Sequence, residues 1–408
     1  MNPEVLLLMF FLHGRADFME KFFEEFKNTL VEFKPVPEYN PGVDNIKAIT
    51  YDGLLYHGKK TKVFAYLGIP GNTKEKVPGI VLIHGGGGVP FASWVKMWND
   101  RGYAAIAMSV TGDFPLTADT MPYKEEHGKH REVWQYGMHG EFIEDGYLDA
   151  PGNDQMANSE KDISEQWMYH ALGQVIFAHN ILRSDEHVDS DKIGITGISW
   201  GGVIASLAIG YDDRFSFAIP IYGSGHLAES MGRLGTYFRS GNNPKLWLAE
   251  KRFDKVNIPI LWLCWNEDWP FSLNSNSDSY RDTVKNNEDT RLSAIHEMKH
   301  AHWNGWGRAE SFAFADSVCK KSPKLPRYDV SEGKIINPDG VNIKGIKLYY
   351  LENPLSYIDD ENGIRIAEKW KICQIESAPV NAANCYYEIT SEIDGKEYIT
   401  TSEIIEQK

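Results

Sequence analysis

The stretch KIGITGISWGG, at residues 192–202, decides the fold of this chain. Its first half is a short apolar run, Ser199 stands between Gly197 and Gly201, and an apolar helical pattern follows at once. This is a G-x-S-x-G sequence between a predicted strand and a predicted helix, in which glycines allow a sharp turn that leaves the serine hydroxyl uncrowded. The pattern predicts that Ser199 is exposed at the end of a strand, in the position of a nucleophile.

Similar strand patterns lie on both sides of this stretch. Short apolar runs alternate with longer helical patterns, which is typical of an α/β protein with a mostly parallel, doubly wound sheet. The predicted strands are residues 79–83, 103–109, 192–196, 215–222, 258–264 and 292–298, with helices at 164–183 and 310–319. The long polar and aromatic stretch 111–161 has little periodicity and is interpreted as a wall over a site.

The two ends of the chain have different patterns. Apolar residues at three- and four-residue spacing predict an amphipathic helix at 17–33. Its apolar face could pack on the main domain or on a second copy of the chain, so a homo-oligomer is one possible assembly. Runs at 48–56 and 62–69 predict a hairpin. We divide the chain into an N-terminal helical segment and linker (1–40), an α/β catalytic domain (41–324) and a small C-terminal all-β, sandwich-like module (325–408).

Composition excludes several classes of protein. The 408 residues are 42% hydrophobic and 24% charged, as in ordinary globular proteins, and 42 basic against 57 acidic side chains give a net charge of −15. That charge repels nucleic acid and anionic lipid and favours a neutral or cationic small-molecule substrate. The apolar run at residues 5–12 is far shorter than the roughly 20 residues that span a membrane, and it lacks the flanks of a signal peptide, so a cytoplasmic location is expected.

A glycine run follows the predicted strand 79–83. Residues 84–88 read HGGGG, and the backbone N–H groups of Gly85, Gly86 and Gly87 could join that of Trp200 in binding an oxyanion. A phosphate loop is the competing interpretation, but neither G-x-x-x-x-G-K-[ST] nor a spaced G-x-G-x-x-G is present. We expect His84 to brace this loop rather than to act as a base.

Candidates for a catalytic acid and base follow two later strands. Asp268, in the sequence Asn-Glu-Asp after strand 258–264, could orient a histidine, with Glu267 as the less favoured substitute. His300 and His302 follow the last strand, and we favour His302 as the base because it lies deeper in the loop, with His300 bracing it. The order Ser, Asp, His along the chain is that of one group of serine hydrolases.

Metal binding and disulfides are not expected. His296 is placed on a strand four residues before His300, about 13 Å away, and no cysteine lies near. Four cysteines without a CxxC pair predict free, buried thiols, with Cys373–Cys385 as a minor disulfide candidate. We therefore predict chemistry without a metal or an organic cofactor.

Longer stretches of the sequence resemble a known family. The segments are KVPGIVLIHGGGG, WNDRGYAAIAM, ISEQWMYHALGQVIFAHNILRS, KIGITGISWGG, DDRFSFAIPIYGSG, ILWLCWNEDWPF and ESFAFADS. Together they resemble the acetylxylan esterase and dienelactone-hydrolase-like branch of the α/β-hydrolases, which is related to the S9, prolyl-oligopeptidase-like hydrolases. By that resemblance Ser199 would be the nucleophile, Asp268 the acid, and His300 or His302 the base.

The resemblance implies a serine hydrolase that cleaves a carboxylic ester through an acyl-enzyme. The expected substrate is a short acyl ester, such as an acetyl ester, on a carbohydrate or small alcohol. The alternatives are an S9-like serine peptidase and a non-catalytic binding protein on a hydrolase fold. Because no candidate triad residue lies beyond His302, we also expect a chain without residues 326–408 to retain measurable activity at lower solubility.

Overall fold

The computed structural model describes residues 15–71, 74–86, 88–112, 147–148, 159–230, 233–296, 298–359, 365–367, 369–373 and 381–407. In chain order, the α-helices of these residues are α1 (Arg15–Lys27), α2 (Ala92–Asn99), α3 (Trp167–Ser184), α4 (Trp200–Ala208), α5 (Arg233–Arg239), α6 (Asn243–Leu246), α7 (Leu273–Val284), α8 (His302–Trp306) and α9 (Ala309–Cys319). Most of the stretch 111–161, interpreted above as a wall, lies outside the described residues.

The strands extend from the N-terminal third to the end of the described chain. They are β1 (Phe33–Pro35), β2 (Ile46–Tyr56), β3 (Lys59–Gly68), β4 (Val77–Ile83), β5 (Ala104–Met108), β6 (Tyr147–Leu148), β7 (Val188–Ile198), β8 (Phe217–Ile221), β9 (Leu261–Trp265), β10 (Arg291–Ile295), β11 (Arg327–Asp329), β12 (Lys334–Ile336), β13 (Asn342–Leu351), β14 (Tyr357–Asp359), β15 (Arg365–Ala367), β16 (Lys371–Cys373), β17 (Asn384–Ile393), β18 (Lys396–Thr401) and β19 (Ile405–Glu406).

The chain forms two compact units. The first comprises Met1–Ile195, Leu207–Phe215 and Tyr237–Leu248, and the second comprises Thr196–Ser206, Ser216–Thr236 and Ala249–Lys408. In the first unit the strand order is β1-β2-β3-β5-β4-β7, in which β4 and β5 are parallel and β2 and β3 form the predicted hairpin. Strand β4 is an apolar run that is buried along almost its whole length, as expected of a central strand.

Helix α3 packs inside the first unit, and α1 packs on it. Every residue of α3 from Trp167 to Leu182 is buried, which explains why its sequence is apolar on more than one face. In α1, Phe26 contacts Phe177 at 5.6 Å and Tyr169 at 5.9 Å between ring centroids. The apolar face of the predicted N-terminal helix therefore packs on the main domain.

In the second unit, β8, β9 and β10 are parallel neighbours. The predicted α/β class with parallel strands and C-terminal β-strands is confirmed. The arrangement of those last strands differs from a separate sandwich-like module, because β18, β17, β13 and β16 continue the sheet beyond β10. Leu292 of β10 pairs with Thr401 of β18, so the C-terminal strands cover what would be an open sheet edge.

Two smaller expectations also have outcomes. All four cysteines are free, and three of them, Cys264, Cys319 and Cys385, are buried, so the minor disulfide candidate does not form. Among the helices of the described residues, none has the length and apolar content to cross a membrane.

Candidate active site

Ser199 occupies a sharp turn between β7 and α4. Its φ is 58°, in the left-handed region that non-glycine residues rarely adopt. The turn is fixed at both ends: the Ser199 N–H donates to the Ile221 carbonyl at 2.8 Å, and the Val203 N–H donates to the Ser199 carbonyl at 3.0 Å. The serine is half-buried, so its side chain reaches the surface of the second unit.

Glycines around Ser199 are required by close backbone approach. A Cβ at Gly197 would overlap the main chain of Gly201 on the other side of the turn. A Cβ at Gly202 would lie 2.8 Å from the Ile221 carbonyl oxygen, inside van der Waals contact. The G-x-S-x-G-G sequence is thus explained by the turn itself, because side chains at these positions would push α4 away from the strand.

The predicted oxyanion donors are divided between the two units. Trp200 is the first residue of α4, so its N–H belongs to the first turn, whose amides point out of the helix N-terminus. Gly85 and Gly86 lie in the first unit, and Gly87 lies outside the described residues. Their joint role with Trp200 stays a prediction.

His84 braces the glycine loop, as predicted. Its ring is buried, and its Nε2 accepts a hydrogen bond from the Val110 N–H at 3.2 Å. The other ring nitrogen, Nδ1, therefore carries the proton in the neutral ring and donates to the Gly85 carbonyl at 2.8 Å. These bonds tie the loop after β4 to the end of β5.

Asp268 is presented by a tight turn after β9. Its N–H donates to the Trp265 carbonyl at 3.1 Å, which closes a four-residue turn, and its side chain is 1% exposed. One carboxylate oxygen, Oδ2, lies 2.7 Å from Nδ1 of His300. The neighbouring Glu267 instead faces His296, at 3.9 Å, so Asp268 rather than Glu267 is the acid that engages a loop histidine.

His300 contacts two aromatic rings. Tyr222 stacks on it with centroids 4.5 Å apart, and Phe271 lies nearly parallel to it at 5.6 Å. The Tyr222 hydroxyl also donates to the carbonyls of Met298, at 3.1 Å, and Lys299, at 2.9 Å. Burial and the nearby charge of Asp268 raise the pKa of Tyr222, so the phenol stays a donor.

Sequence reasoning missed Tyr222 and Phe271. Tyr222 directly follows β8, the strand beside the serine turn. An aromatic residue at the end of that strand was the sequence feature that could have indicated a contact with the site. What the sequence does not show is the φ of 49° that turns Tyr222 toward the histidine loop.

The preference for His302 as the partner of Asp268 is wrong. His302 is the first residue of α8 and follows Ala301, whose backbone is extended, so the two histidines do not share one extended loop. The assumption that residues two apart point the same way fails at that strand-to-helix change. The structure gives His300, not His302, the hydrogen bond to the acid.

The three predicted site residues follow neighbouring strands of the sheet. Ser199, Asp268 and His300 follow β7, β9 and β10, whose carboxyl ends lie side by side with that of β8. Tyr222 links them, because it follows the Ile221 carbonyl that holds the Ser199 N–H and its ring stacks on His300. Polar side chains at the carboxyl ends of such strands are typical of ligand and catalytic sites.

Cys264, near Asp268, does not have the environment of a reactive thiol. It is fully buried on β9, and burial, together with the charge of Asp268, raises the pKa of its thiol. A thiol in that environment stays protonated and unreactive.

One group of side chains has the spacing of metal ligands among the described residues. His226, Glu229 and Asp278 offer ligand atoms that all lie within 4.8 Å of one another. Asp278 forms an ion pair with Arg281, and the Glu229 side chain is 71% exposed, so this spacing alone does not identify a metal site.

A half-buried serine on a glycine-flanked turn, with a buried aspartate hydrogen-bonded to a histidine at the neighbouring strand ends, defines a hydrolase of the α/β-hydrolase fold. The chain belongs to the Dienelactone hydrolase family, whose sequence model matches residues 63–317. The resemblance seen in the sequence is thereby confirmed. No curated protein matches the chain.

Several solved structures are similar. The acetyl xylan esterase from Paenibacillus sp. R4 has a TM-score of 0.46 and 17% identity, over 70% of this chain and 88% of that one. The acylaminoacyl peptidase of Pyrococcus horikoshii has a TM-score of 0.47 and 15% identity, over 71% of this chain, which spans only 44% of the peptidase. A glucuronoyl esterase from Solibacter usitatus has a TM-score of 0.42 and 14% identity, over 68% and 81% of the two chains.

Proposed function

We propose that this hydrolase is a serine esterase that cleaves short acyl esters of a carbohydrate or small alcohol through an acyl-enzyme. The observation that carries the proposal is the 2.7 Å bond between buried Asp268 and His300, at the sheet edge where Ser199 is held at positive φ. In this proposal Ser199 is the nucleophile, His300 the base and Asp268 the residue that orients the base.

The hydrogen bond at Nδ1 assigns the two nitrogens of His300 to different tasks. Because Nδ1 is engaged by Asp268, the neutral ring offers Nε2 as the acceptor for the Ser199 proton. The serine oxygen attacks the ester carbonyl, and the protonated histidine then gives its proton to the departing alcohol. Water repeats the sequence on the acyl-enzyme, with His300 again as the base.

Stabilisation of the oxyanion is proposed for backbone amides. The Trp200 N–H lies in the first turn of α4, where the helix dipole favours negative charge. A second donor from Gly85, Gly86 or Gly87 stays a prediction from the sequence. Removal of a single oxyanion donor typically slows such reactions by about 10²- to 10³-fold.

Partly exposed tryptophans support a sugar as the alcohol part of the substrate. Trp200 and Trp269 directly follow Ser199 and Asp268 and are half-buried, and Trp303, three residues after His300, is 38% exposed. Such rings offer flat apolar faces with a polar N–H, which suit a sugar ring. The net charge of −15 further favours a neutral substrate over an anionic one.

Hydrolysis rates over a panel of substrates test this proposal. The panel holds p-nitrophenyl esters of acetate to decanoate, acetylated sugars and chromogenic peptides, with Ser199→Ala as the matched control. We expect graded preference for acetyl esters, because each methylene changes pocket affinity by only about 1 to 3 kcal/mol. Faster cleavage of decanoyl esters or of peptides would overturn the substrate class, and failure of a fluorophosphonate probe to label Ser199 would overturn the serine mechanism.

A further inference from the structure

Three aromatic side chains of the C-terminal strands form a cluster, two members of which contact Asn266, two residues before Asp268. They are Tyr349 on β13, Trp370 just before β16 and Tyr386 on β17, and all three are buried. The rings of Tyr349 and Tyr386 are cross-strand partners that stack 4.9 Å apart, and Trp370 meets Tyr386 edge-on at 4.9 Å. These three rings therefore form a packed aromatic cluster beside the turn that carries Asp268.

Two members of this aromatic cluster form hydrogen bonds with Asn266. The Asn266 side-chain Nδ2 donates to the Tyr386 hydroxyl at 3.1 Å, and the Trp370 indole N–H donates to the Asn266 carbonyl at 3.3 Å. Asn266 is 0% exposed, and its Nδ2 has one other, longer contact, to His296 Nδ1 at 3.5 Å. Loss of the Tyr386 bond would leave this buried amide with the longer contact, and loss of the Trp370 bond would remove a donor from a buried carbonyl.

Asn266 is a central residue of the turn that presents Asp268. That turn is closed by the bond from the Asp268 N–H to the Trp265 carbonyl, so a shift of Asn266 displaces the carboxylate. The carboxylate must stay 2.7 Å from His300 Nδ1, and misplacement of a catalytic group by about 1 Å can cost about 100-fold in rate.

We infer, on the basis of the proposed function, that Tyr386 and Trp370 are positioning residues that hold the Trp265–Asp268 turn so that Asp268 meets His300. The C-terminal strands thereby take part in the chemistry without touching the substrate. Tyr386 lies 120 residues beyond Asn266 in sequence.

Kinetics of Tyr386→Phe and Trp370→Phe with p-nitrophenyl acetate test the inference. Each substitution keeps an aromatic ring and removes one hydrogen bond to Asn266. We expect kcat to fall about tenfold with KM changed less than twofold, because orientation of the acid affects the chemical step rather than substrate binding. Tyr387→Phe is the matched control, since Tyr387 is the next residue on β17, stacks on Tyr328 at 4.2 Å and should keep wild-type kcat.

A double-mutant cycle with Asp268→Asn separates positioning from general loss of structure. If Tyr386 acts through Asp268, Tyr386→Phe should lower kcat less than twofold once the acid is replaced. A full tenfold effect that persists in the Asp268→Asn background would overturn the inference. So would wild-type kcat in both single variants.

Failure of the proposed function gives a different result. If Asp268→Asn itself retains more than a tenth of wild-type kcat, the acid assignment is wrong and the positioning role fails with it. If Asp268→Asn is severely impaired while Tyr386→Phe and Trp370→Phe are unaffected, the proposed esterase mechanism stands and only the positioning role is rejected.

Discussion

Ser199 combines backbone strain with partial exposure. A non-glycine residue at a φ of 58° costs roughly 1 to 3 kcal/mol, and the turn persists because the Ile221 carbonyl and the first turn of α4 hold it from both sides. Strain of this kind at a strand end places the side chain away from the sheet. The backbone conformation is what makes this serine a candidate nucleophile.

Paired substitutions at Ser199 separate chemistry from strain. Ser199→Ala and Ser199→Gly should both lower kcat by at least about three orders of magnitude, because triad members act as a unit. Ser199→Gly should be more stable than Ser199→Ala by about 1 kcal/mol, since glycine adopts positive φ without strain. Esterase kinetics and urea unfolding measure the two effects, and equal stability of the two variants would contradict the strain argument.

The two loop histidines should differ sharply in their effect on activity. His300→Ala should approach the loss seen in Ser199→Ala, because it removes the partner of Asp268. His302→Ala, two residues away at the start of α8, should reduce kcat/KM by less than about tenfold. Side-by-side kinetics decide between them, and a larger loss in His302→Ala would exchange their roles.

Buried His170 should make stability depend on pH. Burial lowers the pKa of His170 to about 4, although its hydrogen bond to the Ser164 carbonyl opposes this shift. Between about pH 6.5 and pH 4, His170 binds a proton in the unfolded chain but stays neutral in the folded protein. The free energy of unfolding is therefore unaffected by His170 above pH 6.5 and falls as the pH is lowered toward 4. The decline should total about 3 kcal/mol.

His170→Gln should flatten this part of the stability profile. Urea unfolding at several pH values from 7 to 4 measures the difference from the wild type. His187→Gln is the control, because the His187 side chain is 56% exposed and should leave the profile unchanged. Parallel profiles for the wild type and His170→Gln would refute the argument.

At the scale of elements, the C-terminus of α1 is tied to the first unit by a buried polar network. Arg214 donates to the Lys27 carbonyl at 2.7 Å and to both carboxylate oxygens of Asp212, while Asn180 donates to the Phe26 carbonyl. Burial alone would raise the pKa of Asp212, but hydrogen bonds from Arg214 and His179 hold it well below its usual range. The network satisfies helix carbonyls that have no partner within α1.

Arg214→Ala should therefore loosen α1 and destabilise the fold by about 3 kcal/mol, because it leaves a buried carboxylate with one partner fewer. Asp213→Asn is the matched control, since the Asp213 side chain is 81% exposed and its ion pair with Lys27 should contribute less than 1 kcal/mol. Thermal unfolding and hydrogen exchange of α1 amides measure both effects. Equal protection of α1 in Arg214→Ala and the wild type would contradict this role.

At the scale of the molecule, the C-terminal strands are part of the second unit rather than an accessory. Besides the β10–β18 pairing, the Ile399 N–H donates to buried Glu310 at 3.1 Å. A small apolar cluster joins α9 to β18 through Ala313, Leu325 and Tyr398. These contacts revise the expectation, drawn from the sequence, that residues 326–408 can be removed with residual activity.

A chain that ends at Leu325 should fail to form a soluble, active protein. The truncation removes β18, which would expose the edge of β10 and the apolar surface of α9. Open strand edges and exposed apolar surfaces promote aggregation. Expression followed by size-exclusion chromatography and assay on p-nitrophenyl acetate measures the outcome. A soluble, active truncated monomer would show that these strands are dispensable.

The sequence by itself determined the local features. Alternating strand and helix patterns gave the α/β class, and the glycines around Ser199 gave the turn, because periodicity and backbone sterics act over a few residues. Asp268 was found in the same way, as a carboxylate directly after a strand. The order of these residues along the chain then indicated the hydrolase class.

Only the tertiary structure decided how distant residues pair. The choice of His300 over His302 depends on where α8 begins and on the rings of Tyr222 and Phe271, and the support of Asp268 depends on Tyr386, 120 residues beyond Asn266. The C-terminal strands continue the sheet because β10 would otherwise leave an unpaired edge. Such pairings follow from packing between segments far apart in sequence, which local patterns do not encode.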